Sequence, residues 1–482
     1  MPVQRQETIM AYKIGIVGGG LSGSLLAIQL LRRLPETDEV IVFEPRSVCG
    51  RGLAYGTSCT SHILNVPAGK ISIFPDRRDD FIEWLATSDD PEIRKYATAA
   101  SFVPRQIFGD YVCSRLEQSI NQRFRSESFA HVRDTVNSAY PAEGGQKLHI
   151  RTERDQIFEV DHLVLAMGNS LASQTRYGFL HPWNTERTEG TSMRGPILVL
   201  GSGLTAVDTL LRLRETGYEG QVVFLSRRGL LPRPHDLTEP ENHPAFTPTD
   251  AGAQPLSTLL AKVRNNARQF GWRTTIDGLR PMTQAIWQAL DDVKRRRFIR
   301  HLQTWWDVHR HRMSRETAQI IDAEMASGNL KIIKGRISNA QKKPGQSWEI
   351  SIRGHGQETA ENFSFPVAYD CTGPRADLEA IDVPLIWFLN NMGHIRPDPL
   401  GLGIDVDDTC QAIKSNSRSS KFISVIGPLT RGKFWEITAA AEIRNQVATL
   451  AEYLSNKASS RYERTSLISA DLPATITGRE IL

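Results

Sequence analysis

The stretch Lys13 to Gly23, KIGIVGGGLSG, constrains the fold more than any other part of this chain. Its first half predicts a short buried strand, and apolar residues recur at helical spacing from Leu25 to Leu34. The glycines therefore lie between a strand and a helix, which is the context that a G-x-G-x-x-G nucleotide-binding loop requires. In such a loop Gly18 permits the tight turn, Gly20 lets the backbone approach a pyrophosphate, and Gly23 lets the helix pack on the strand.

An acidic residue follows this loop at the distance that a dinucleotide site requires. A second strand is predicted at Glu39 to Phe43, and Glu44 comes directly after it, about 20 residues beyond Gly23. A carboxylate at this place accepts hydrogen bonds from the ribose of an adenine dinucleotide. The alternative is a chance glycine-rich loop, which the joint presence of strand, helix and acid disfavours.

The pattern restarts near residue 200. A predicted strand, Ile197 to Leu200, is followed by the residues GSGLTA and by a second predicted helix. Here Gly201 and Gly203 take the places of the first two glycines, and Ala206 takes that of the third, which the G-x-G-x-x-G/A pattern allows. The sequence thus predicts two dinucleotide-binding units that are built to one plan.

The two units end with opposite charge. Arg227 and Arg228 follow the next predicted strand, and Arg227 lies 26 residues after Gly201, as Glu44 lies 26 residues after Gly18. Glu44 suits a ribose hydroxyl and would repel a 2′-phosphate, whereas the arginines would attract one. We therefore expect FAD at the first unit and a nicotinamide dinucleotide, NAD(P)H, at the second, with the arginines favouring NADPH. A solvated basic turn is the alternative for these arginines.

Two further apolar strands are predicted to return to the first cofactor. One ends at Gly168 and the other, Phe422 to Ile426, is followed by Gly427. The predicted fold is therefore α/β, with two Rossmann-like dinucleotide-binding domains, the FAD domain being split by an inserted NAD(P)H domain that carries a helical insert at about 255–325. The predicted ranges are 12–190 and 376–457 for the FAD domain, 191–375 for the NAD(P)H domain, and 458–482 for a mobile tail.

Composition excludes several other classes of protein. A chain of 482 residues is long enough for two or three domains. The net charge of +4 is small for this length and indicates no nucleic-acid partner. Five cysteines without a C-x-x-C pair indicate a reducing, cytoplasmic compartment without a disulfide framework. No apolar run is long enough for a membrane span, the first ten residues lack a signal-peptide core, and no metal-binding motif is present.

The predicted helical insert is rich in tryptophan and basic residues and follows a predicted extended linker at about 229–253. Its most distinctive segment is Trp305 to Arg312, WWDVHRHR. Two histidines two residues apart on a helix point in different directions, which disfavours a metal site. The basic run Lys294 to Arg297 is interpreted as a solvated helix face rather than a nucleic-acid contact. A packed helical insert is favoured over a substrate wall of aromatic rings, which stays open.

Several segments together resemble a known group of proteins, over roughly residues 12 to 455. The chain resembles the bacterial FAD/NAD(P)-binding proteins related to class B flavin monooxygenases. Within that group it looks most similar to a flavin-dependent urate hydroxylase branch, and it is more distantly similar to ornithine and lysine N-hydroxylases. The segments that carry the resemblance are Gly18 to Gly23, Gly50 to Thr57, Leu64 to Ala68, Trp305 to Arg312 and Asp370 to Pro374.

The resemblance implies an oxidoreductase that uses NAD(P)H and O2 to hydroxylate a small polar molecule through a flavin C4a-hydroperoxide, with urate, giving 5-hydroxyisourate, as the expected substrate. His62 and Asn65, on the loop after the first unit, are the candidate catalytic groups near the flavin. The alternatives are an N-hydroxylase of an amino acid or amine, and a non-oxygenase NAD(P)H:acceptor flavin oxidoreductase. A disulfide reductase would need a redox pair, for which only Cys49 and Cys59 are candidates. A protein that holds FAD structurally also stays open.

Overall fold

The computed structural model of the chain describes residues 11–169, 175–183, 195–236, 242–343, 347–373, 378 and 381–470, with side chains as far as residue 461 in the last helix. Its strands, numbered in chain order, are β1 Lys13–Val17, β2 Glu39–Phe43, β3 Phe129–Val132, β4 Val136–Pro141, β5 Leu148–Thr152, β6 Ile157–Val160, β7 His162–Leu165, β8 Ile197–Leu200, β9 Val222–Ser226, β10 Leu330–Lys342, β11 Trp348–Gly354, β12 Ala360–Phe365, β13 Val367–Asp370, β14 Gln411–Ile413 and β15 Ser419–Val425.

The α-helices follow the same numbering. They are α1 Leu21–Leu31, α2 Asp80–Ala86, α3 Pro91–Arg94, α4 Arg105–Asn121, α5 Leu204–Glu215, α6 Pro248–Ala253, α7 Leu256–Phe270, α8 Trp272–Leu279, α9 Thr283–Ala289, α10 Asp292–His301, α11 Gln303–Arg310, α12 Arg315–Ala326, α13 Pro384–Asn391 and α14 Ala440–Ala470.

Two mainly parallel six-stranded sheets organise the chain. The first has the order β14-β15-β7-β1-β2-β3, in which all neighbours are parallel except the edge pair β14–β15. The second has the order β12-β11-β10-β9-β8-β13, with β10, β9, β8 and β13 parallel and β10, β11 and β12 antiparallel. In each sheet the strand before the glycine loop, β1 or β8, is an interior strand with a parallel neighbour on either side. A strand at that place is covered on both faces and accordingly consists of apolar residues.

The chain enters the first sheet, leaves it for the second, and returns. The first sheet takes β1, β2, β3 and β7 before residue 166, and β14 and β15 after residue 410, whereas the second sheet lies wholly between residues 197 and 370. This order confirms the predicted fold class, in which one dinucleotide-binding domain is split by another. The predicted domain boundaries at residues 190 and 375 lie outside the described residues.

Buried side chains cover both faces of the first sheet. On one face α1, α4 and α14 pack against β1 and β2. On the other face the small antiparallel sheet β4-β5-β6 and α13 pack against β1, β7 and β15. The second sheet is covered on one side by α5 and α12, with Ile321 of α12 in that core. Helix α12 is therefore the crossover between β9 and β10, and the helical insert consists of α6 to α11.

Two segments that the sequence predicts to lack regular structure are partly helical. Residues 248–253, predicted as part of an extended linker, form α6, because the side chains and backbones of Thr247 and Asp250 cap its first turn reciprocally. The tail predicted from Ala458 is wrong as far as residue 470, because α14 runs to Ala470. Ala458 is fully buried against the first core, and Arg461 pairs with the buried carboxylate of Asp161. Residues 471–482 lie outside the described residues.

Helix α5 of the second domain joins the two domains through its acidic side chains. Arg105 at the start of α4 donates two hydrogen bonds to Asp208 of α5, at 2.8 and 3.1 Å, and both side chains are about nine-tenths buried. At the end of α5 the carboxylate of Glu215 accepts hydrogen bonds from the backbone N–H groups of Thr60 and Ser61, both at 3.0 Å. The relative position of the two glycine loops depends on these contacts.

The Arg105–Asp208 pair gives a stability prediction. Replacing Arg105 by Ala leaves a carboxylate buried without its partner, so we expect a loss of about 3 kcal/mol, measured by thermal or denaturant unfolding. The control is Arg32→Ala, because Arg32 pairs with exposed Asp76 at 3.9 Å, and exposed pairs contribute about 0–1 kcal/mol. Equal shifts for the two variants would contradict a stabilising role for the domain contact.

Candidate functional site

The first glycine loop leaves no room for side chains where β1 meets α1. Gly18 has a φ of +103°, and a Cβ there would lie 2.6 Å from the carbonyl oxygen of Ala166 at the end of β7. A Cβ at Gly23 would lie 1.9 Å from the carbonyl oxygen of Gly18. At Gly20, directly before α1, the nearest atom to a Cβ would be Gly52 Cα at 3.4 Å. The backbone here is therefore open to a ligand at Gly20 and closely packed at the other two glycines.

The N-terminus of α1 can receive an anion. Its N-cap residue, Gly20, has no side chain to cap the first N–H groups, and its first turn contains no acidic residue. The unpaired N–H groups and the partial positive charge of the helix end suit a pyrophosphate. Beside this loop the buried carboxylate of Glu44 accepts hydrogen bonds from the backbone N–H groups of Gly19, at 2.9 Å, and Arg46, at 3.1 Å. These contacts hold the carboxylate next to the loop, where a ribose hydroxyl could bind.

The ends of β7 and β15 bound the same space, because the carboxyl ends of parallel strands meet at one edge of a sheet. Gly168 follows β7, and no atom lies within 4 Å of the position that its Cβ would take. Gly427 follows β15 and lies so close to α1 that a Cβ would be 2.7 Å from Ser22 Oγ. The structure thus brings the predicted residues Gly18, Gly20, Gly168 and Gly427 together at the edge where dinucleotides bind in such sheets.

The second loop repeats the geometry of the first. Gly201 has a φ of +120°, and a Cβ there would lie 2.5 Å from the carbonyl oxygen of Cys371 at the end of β13. Gly203 precedes α5, which lacks a side-chain cap and an acidic residue in its first turn, and no atom lies within 4 Å of its Cβ position. Ala206 is fully buried. The second unit therefore also offers an uncapped helix end to a phosphate.

Four arginines gather at the end of β9. Partial burial and the neighbouring guanidinium groups of Arg228, Arg336 and Arg176 lower the pKa of Arg227, and all the charged groups that act on it are cationic. Arg228 also donates to the carbonyl oxygen of His301 at 3.2 Å. Such a cluster attracts a phosphate. Sequence reasoning missed Arg176 and Arg336, because only the tertiary structure brings them to this strand end.

His62 lies at the domain contact. Its Nδ1 is 2.8 Å from Thr57 Oγ1, and its Nε2 is 2.8 Å from the carbonyl oxygen of Asp208. Burial lowers the pKa of its imidazole, which is therefore neutral near pH 7. With both ring nitrogens engaged, this arrangement leaves no nitrogen to exchange a proton with a substrate. Asn65 is half-buried, and its carbonyl oxygen accepts a hydrogen bond from His235 Nε2 at 3.0 Å. The catalytic role of both residues stays a prediction.

The segment Trp305 to Arg312 holds the helical insert in place. Trp306 Nε1 donates to Glu436 Oε1 at 2.7 Å, and Arg310 Nε lies 3.1 Å from Glu436 Oε2. Arg312 makes two hydrogen bonds to Asp277 within the insert, at 2.9 and 3.0 Å. Glu436 lies between Gly427 and α14, so this segment ties the insert to the FAD-binding part of the chain. The sequence did not single out Glu436, which lies on the segment between Gly427 and the start of α14 at Ala440.

The cysteines do not form a reactive pair. Burial and, to a lesser extent, the carboxylate of Glu44 raise the pKa of Cys49 to about 12. Burial and the hydrogen bond to Glu215 raise the pKa of Cys59 to about 12 as well. Both are free thiols.

Among the described residues no group of three or more His, Cys, Asp and Glu side chains is placed to hold a metal ion. No helix in the described part of the chain is both long and apolar enough to cross a membrane.

Two glycine loops, each after an interior parallel strand of one of two nested, mainly parallel sheets, define a two-dinucleotide fold. Residues 15–170 match the family model of FAD-NAD(P)-binding domains, as expected for the first unit. No curated protein sequence matches the chain.

The whole chain is similar in fold to solved flavin-enzyme structures. Ornithine hydroxylase from Pseudomonas aeruginosa has 14% identity and a TM-score of 0.63, covering 92% of this chain and 99% of that chain. Ornithine N-hydroxylase from Kutzneria sp. 744, with reduced FAD, NADP+ and L-ornithine, has 14% identity and a TM-score of 0.61, covering 93% and 99%. L-Lysine 6-monooxygenase from Pseudomonas syringae has 14% identity and a TM-score of 0.60, covering 92% and 99%. At this identity the likeness establishes the fold, and none of these three relatives supports the expected urate branch.

The contacts of Glu436 give a pH prediction. Burial alone would raise the pKa of this carboxyl. Its contacts with His311, Arg310 and Trp306 outweigh burial and lower the pKa from 4.5 to about 2. The stabilisation is therefore complete above pH 4.5 and is lost as the pH falls towards 2. We expect Glu436→Gln to lower the thermal midpoint at pH 6, and the difference from the unaltered protein to shrink between pH 4.5 and 2.

Glu442 provides the matched control for this measurement. Burial raises the pKa of its carboxyl, so the ionised form is disfavoured in the folded protein. Glu442→Gln should therefore be neutral or stabilising at pH 6. A constant difference between Glu436→Gln and the unaltered protein across the acid range would refute the role assigned to Glu436.

Proposed function

We propose that the protein is a FAD-dependent monooxygenase that uses NADPH and O2. One observation carries the proposal: a single chain contains two uncapped nucleotide loops, one beside the carboxylate of Glu44 and the other near the arginine cluster of Arg227. The fold likeness to flavin-dependent hydroxylases supports it. Gly18, Gly20, Gly23, Glu44, Gly168 and Gly427 would hold FAD, and Gly201, Gly203, Ala206, Arg227 and Arg228 would hold NADPH.

The chemistry would come from the cofactor and the positioning from the protein. Bound FAD would supply hydride acceptance and oxygen activation, while the chain orients the nucleotides and limits water at the reacting atoms. The buried contacts of α5 with Arg105, His62 and the loop at Thr60 would keep the nicotinamide site in position relative to the flavin site. The hydrogen bonds of His62 to Thr57 and to α5 favour a role in positioning this loop, and catalytic roles for His62 and Asn65 stay predictions.

N-hydroxylation of an amine is better supported than hydroxylation of urate. The relatives of similar fold are named for ornithine and lysine, and a further one, from Erwinia amylovora, is a FAD-bound cadaverine monooxygenase. The proposed reaction is R–NH2 + NADPH + H+ + O2 → R–NHOH + NADP+ + H2O. A disulfide reductase is disfavoured, because the raised pKa values of Cys49 and Cys59 keep both as thiols.

A coupled assay tests this function. We expect purified protein to bind FAD and NADPH to reduce it under anaerobic conditions. With O2 and a suitable amine, NADPH loss and O2 uptake should proceed in equal amounts and give a hydroxylated product. The screen includes ornithine, lysine, cadaverine and urate. NADPH loss that continues unchanged without O2, when another electron acceptor is present, would show a reductase instead, and protein that takes up no FAD would overturn the oxidoreductase account.

The arginine cluster gives a prediction about cofactor choice. Arg227→Ala should raise the KM for NADPH by about tenfold to a hundredfold, because it removes charge-assisted hydrogen bonds to the 2′-phosphate. The KM for NADH should change little. The control is Arg268→Ala, because exposed Arg268 lies on α7 and donates a hydrogen bond to Asn265 in its own turn. Parallel changes for NADPH and NADH would show that the cluster does not read the phosphate.

A further inference from the structure

The side chain of Trp305 differs in its surroundings from the rest of the segment Trp305 to Arg312. Trp306, Arg310 and Arg312 anchor the helical insert through buried or half-buried carboxylates. Trp305 lies on the same helix, α11, and borders the apolar cavity inside the insert, yet it is 47% exposed. An indole ring that is open to solvent offers a large flat face on which another ring can stack.

Trp305 meets the arginine cluster at the end of β9. The guanidinium carbon of Arg228 lies over the ring of Trp305, 5.9 Å from its centroid. The same guanidinium donates a hydrogen bond to the carbonyl oxygen of His301, the last residue of α10. Arg228 is thus the point where the second nucleotide-binding unit touches the insert, and it is the chain neighbour of Arg227. The insert therefore brings an aromatic ring to the cluster that the proposed function assigns to the 2′-phosphate.

The covalent structure of NADPH requires its adenine to lie beside that phosphate. With the pyrophosphate at the uncapped N-terminus of α5 and the 2′-phosphate at Arg227, the adenosine would lie along the end of β9. The adenine and the 2′-phosphate are bonded to neighbouring carbons of one ribose. The adenine would accordingly reach the surroundings of Arg228 and Trp305.

The two side chains can hold a planar ring between them. Guanidinium groups and indole rings both stack on the faces of nucleobases. A ring between two such groups needs about 7 Å, twice a van der Waals contact of about 3.5 Å, which is roughly 1 Å more than the 5.9 Å that separates them. Arg228 is only half-buried, and changes of side-chain rotamer at a binding surface are common. A small movement of this one side chain would therefore admit the adenine.

We propose that Trp305 and Arg228 hold the adenine ring of the nicotinamide dinucleotide between them, so that the helical insert forms one wall of the cofactor site. The identity of the ligand rests on the proposed function. The role of Trp305 differs from that of Arg227, because adenine is common to NADPH and NADH whereas the 2′-phosphate belongs to NADPH alone. Trp305 thus strengthens the binding of both dinucleotides, and Arg227 discriminates between them.

Anaerobic reduction of the FAD-containing protein tests this role with three hydride donors: NADPH, NADH and reduced nicotinamide mononucleotide, which lacks the adenosine half. In Trp305→Ala the apparent Kd for NADPH and for NADH should each rise by about tenfold, the effect of removing one stacked aromatic ring. Reduction by the mononucleotide should be unchanged, and Trp305→Phe, which keeps a ring, should restore most of the affinity. The control is Trp387→Ala, because Trp387 on α13 is 67% exposed. FAD content and thermal midpoint show that each variant is folded.

A second measurement needs no hydride transfer. Adenosine 2′,5′-bisphosphate carries the adenine and the 2′-phosphate without nicotinamide, and stacking of its base should quench the fluorescence of the tryptophan that it contacts. We expect a saturable quench in the unaltered protein and in Trp387→Phe that is lost in Trp305→Phe.

Unchanged affinity for both dinucleotides in Trp305→Ala, weaker binding of NADPH alone, or an equal loss with the mononucleotide would overturn the proposal. A quench that persists in Trp305→Phe would overturn it as well. Protein that shows the Trp305-dependent quench but consumes no O2 with any amine would contradict the monooxygenase function alone. Protein that binds neither dinucleotide nor the bisphosphate would overturn both.

Discussion

In both sheets the structure depends on close contact between the glycine that follows one strand and the end of the neighbouring strand. At Gly18 and again at Gly201 the backbone turns with a positive φ directly against a carbonyl group of the next parallel strand, at Ala166 or Cys371. A side chain at either position would separate the strands and move the helix that follows. Because the turn is tight, the helix begins directly at the carboxyl edge of its sheet, and its N-cap residue, Gly20 or Gly203, has no side chain to cap the first N–H groups. The capacity to bind a phosphate is thus a consequence of packing.

Two nucleotide-binding loops, at Gly18 and Gly201, can act in one reaction only if the protein fixes their relative position. Helix α5 fixes this position. Its N-terminus follows the second glycine loop, and its side chains Asp208 and Glu215 bind the first domain. The buried guanidinium of Arg105 and the neutral imidazole of His62 meet the same helix. Both groups are buried at the domain contact, where their hydrogen bonds to Asp208 hold α5 against the first domain.

The helical insert is attached to the first domain through a buried carboxylate. Its segment Trp305 to Arg312 binds Glu436, a buried carboxylate between Gly427 and α14 of the first domain, and so places the insert beside the proposed flavin site. In that segment Arg310 and Arg312 pair with carboxylates, whereas Trp305 and Trp306 line an apolar cavity within the insert. The overall fold is shared with hydroxylases of ornithine and lysine.

The sequence by itself determined the features that depend on neighbouring residues: the strand–loop–helix units at Gly18 and Gly201, most core strands, the nested order of the domains, and the contrast between Glu44 and Arg227. These follow from local periodicity and from glycine spacing. Only the tertiary structure decided which distant groups meet, such as Arg176 and Arg336 beside Arg227, Asp208 against Arg105, and Trp435 inside the insert. It also extended α14 through the segment interpreted as a tail, because Ala458 is buried and Arg461 meets Asp161. Contacts between residues hundreds of positions apart leave no local pattern, since their partners are selected by the packing of sheets and helices.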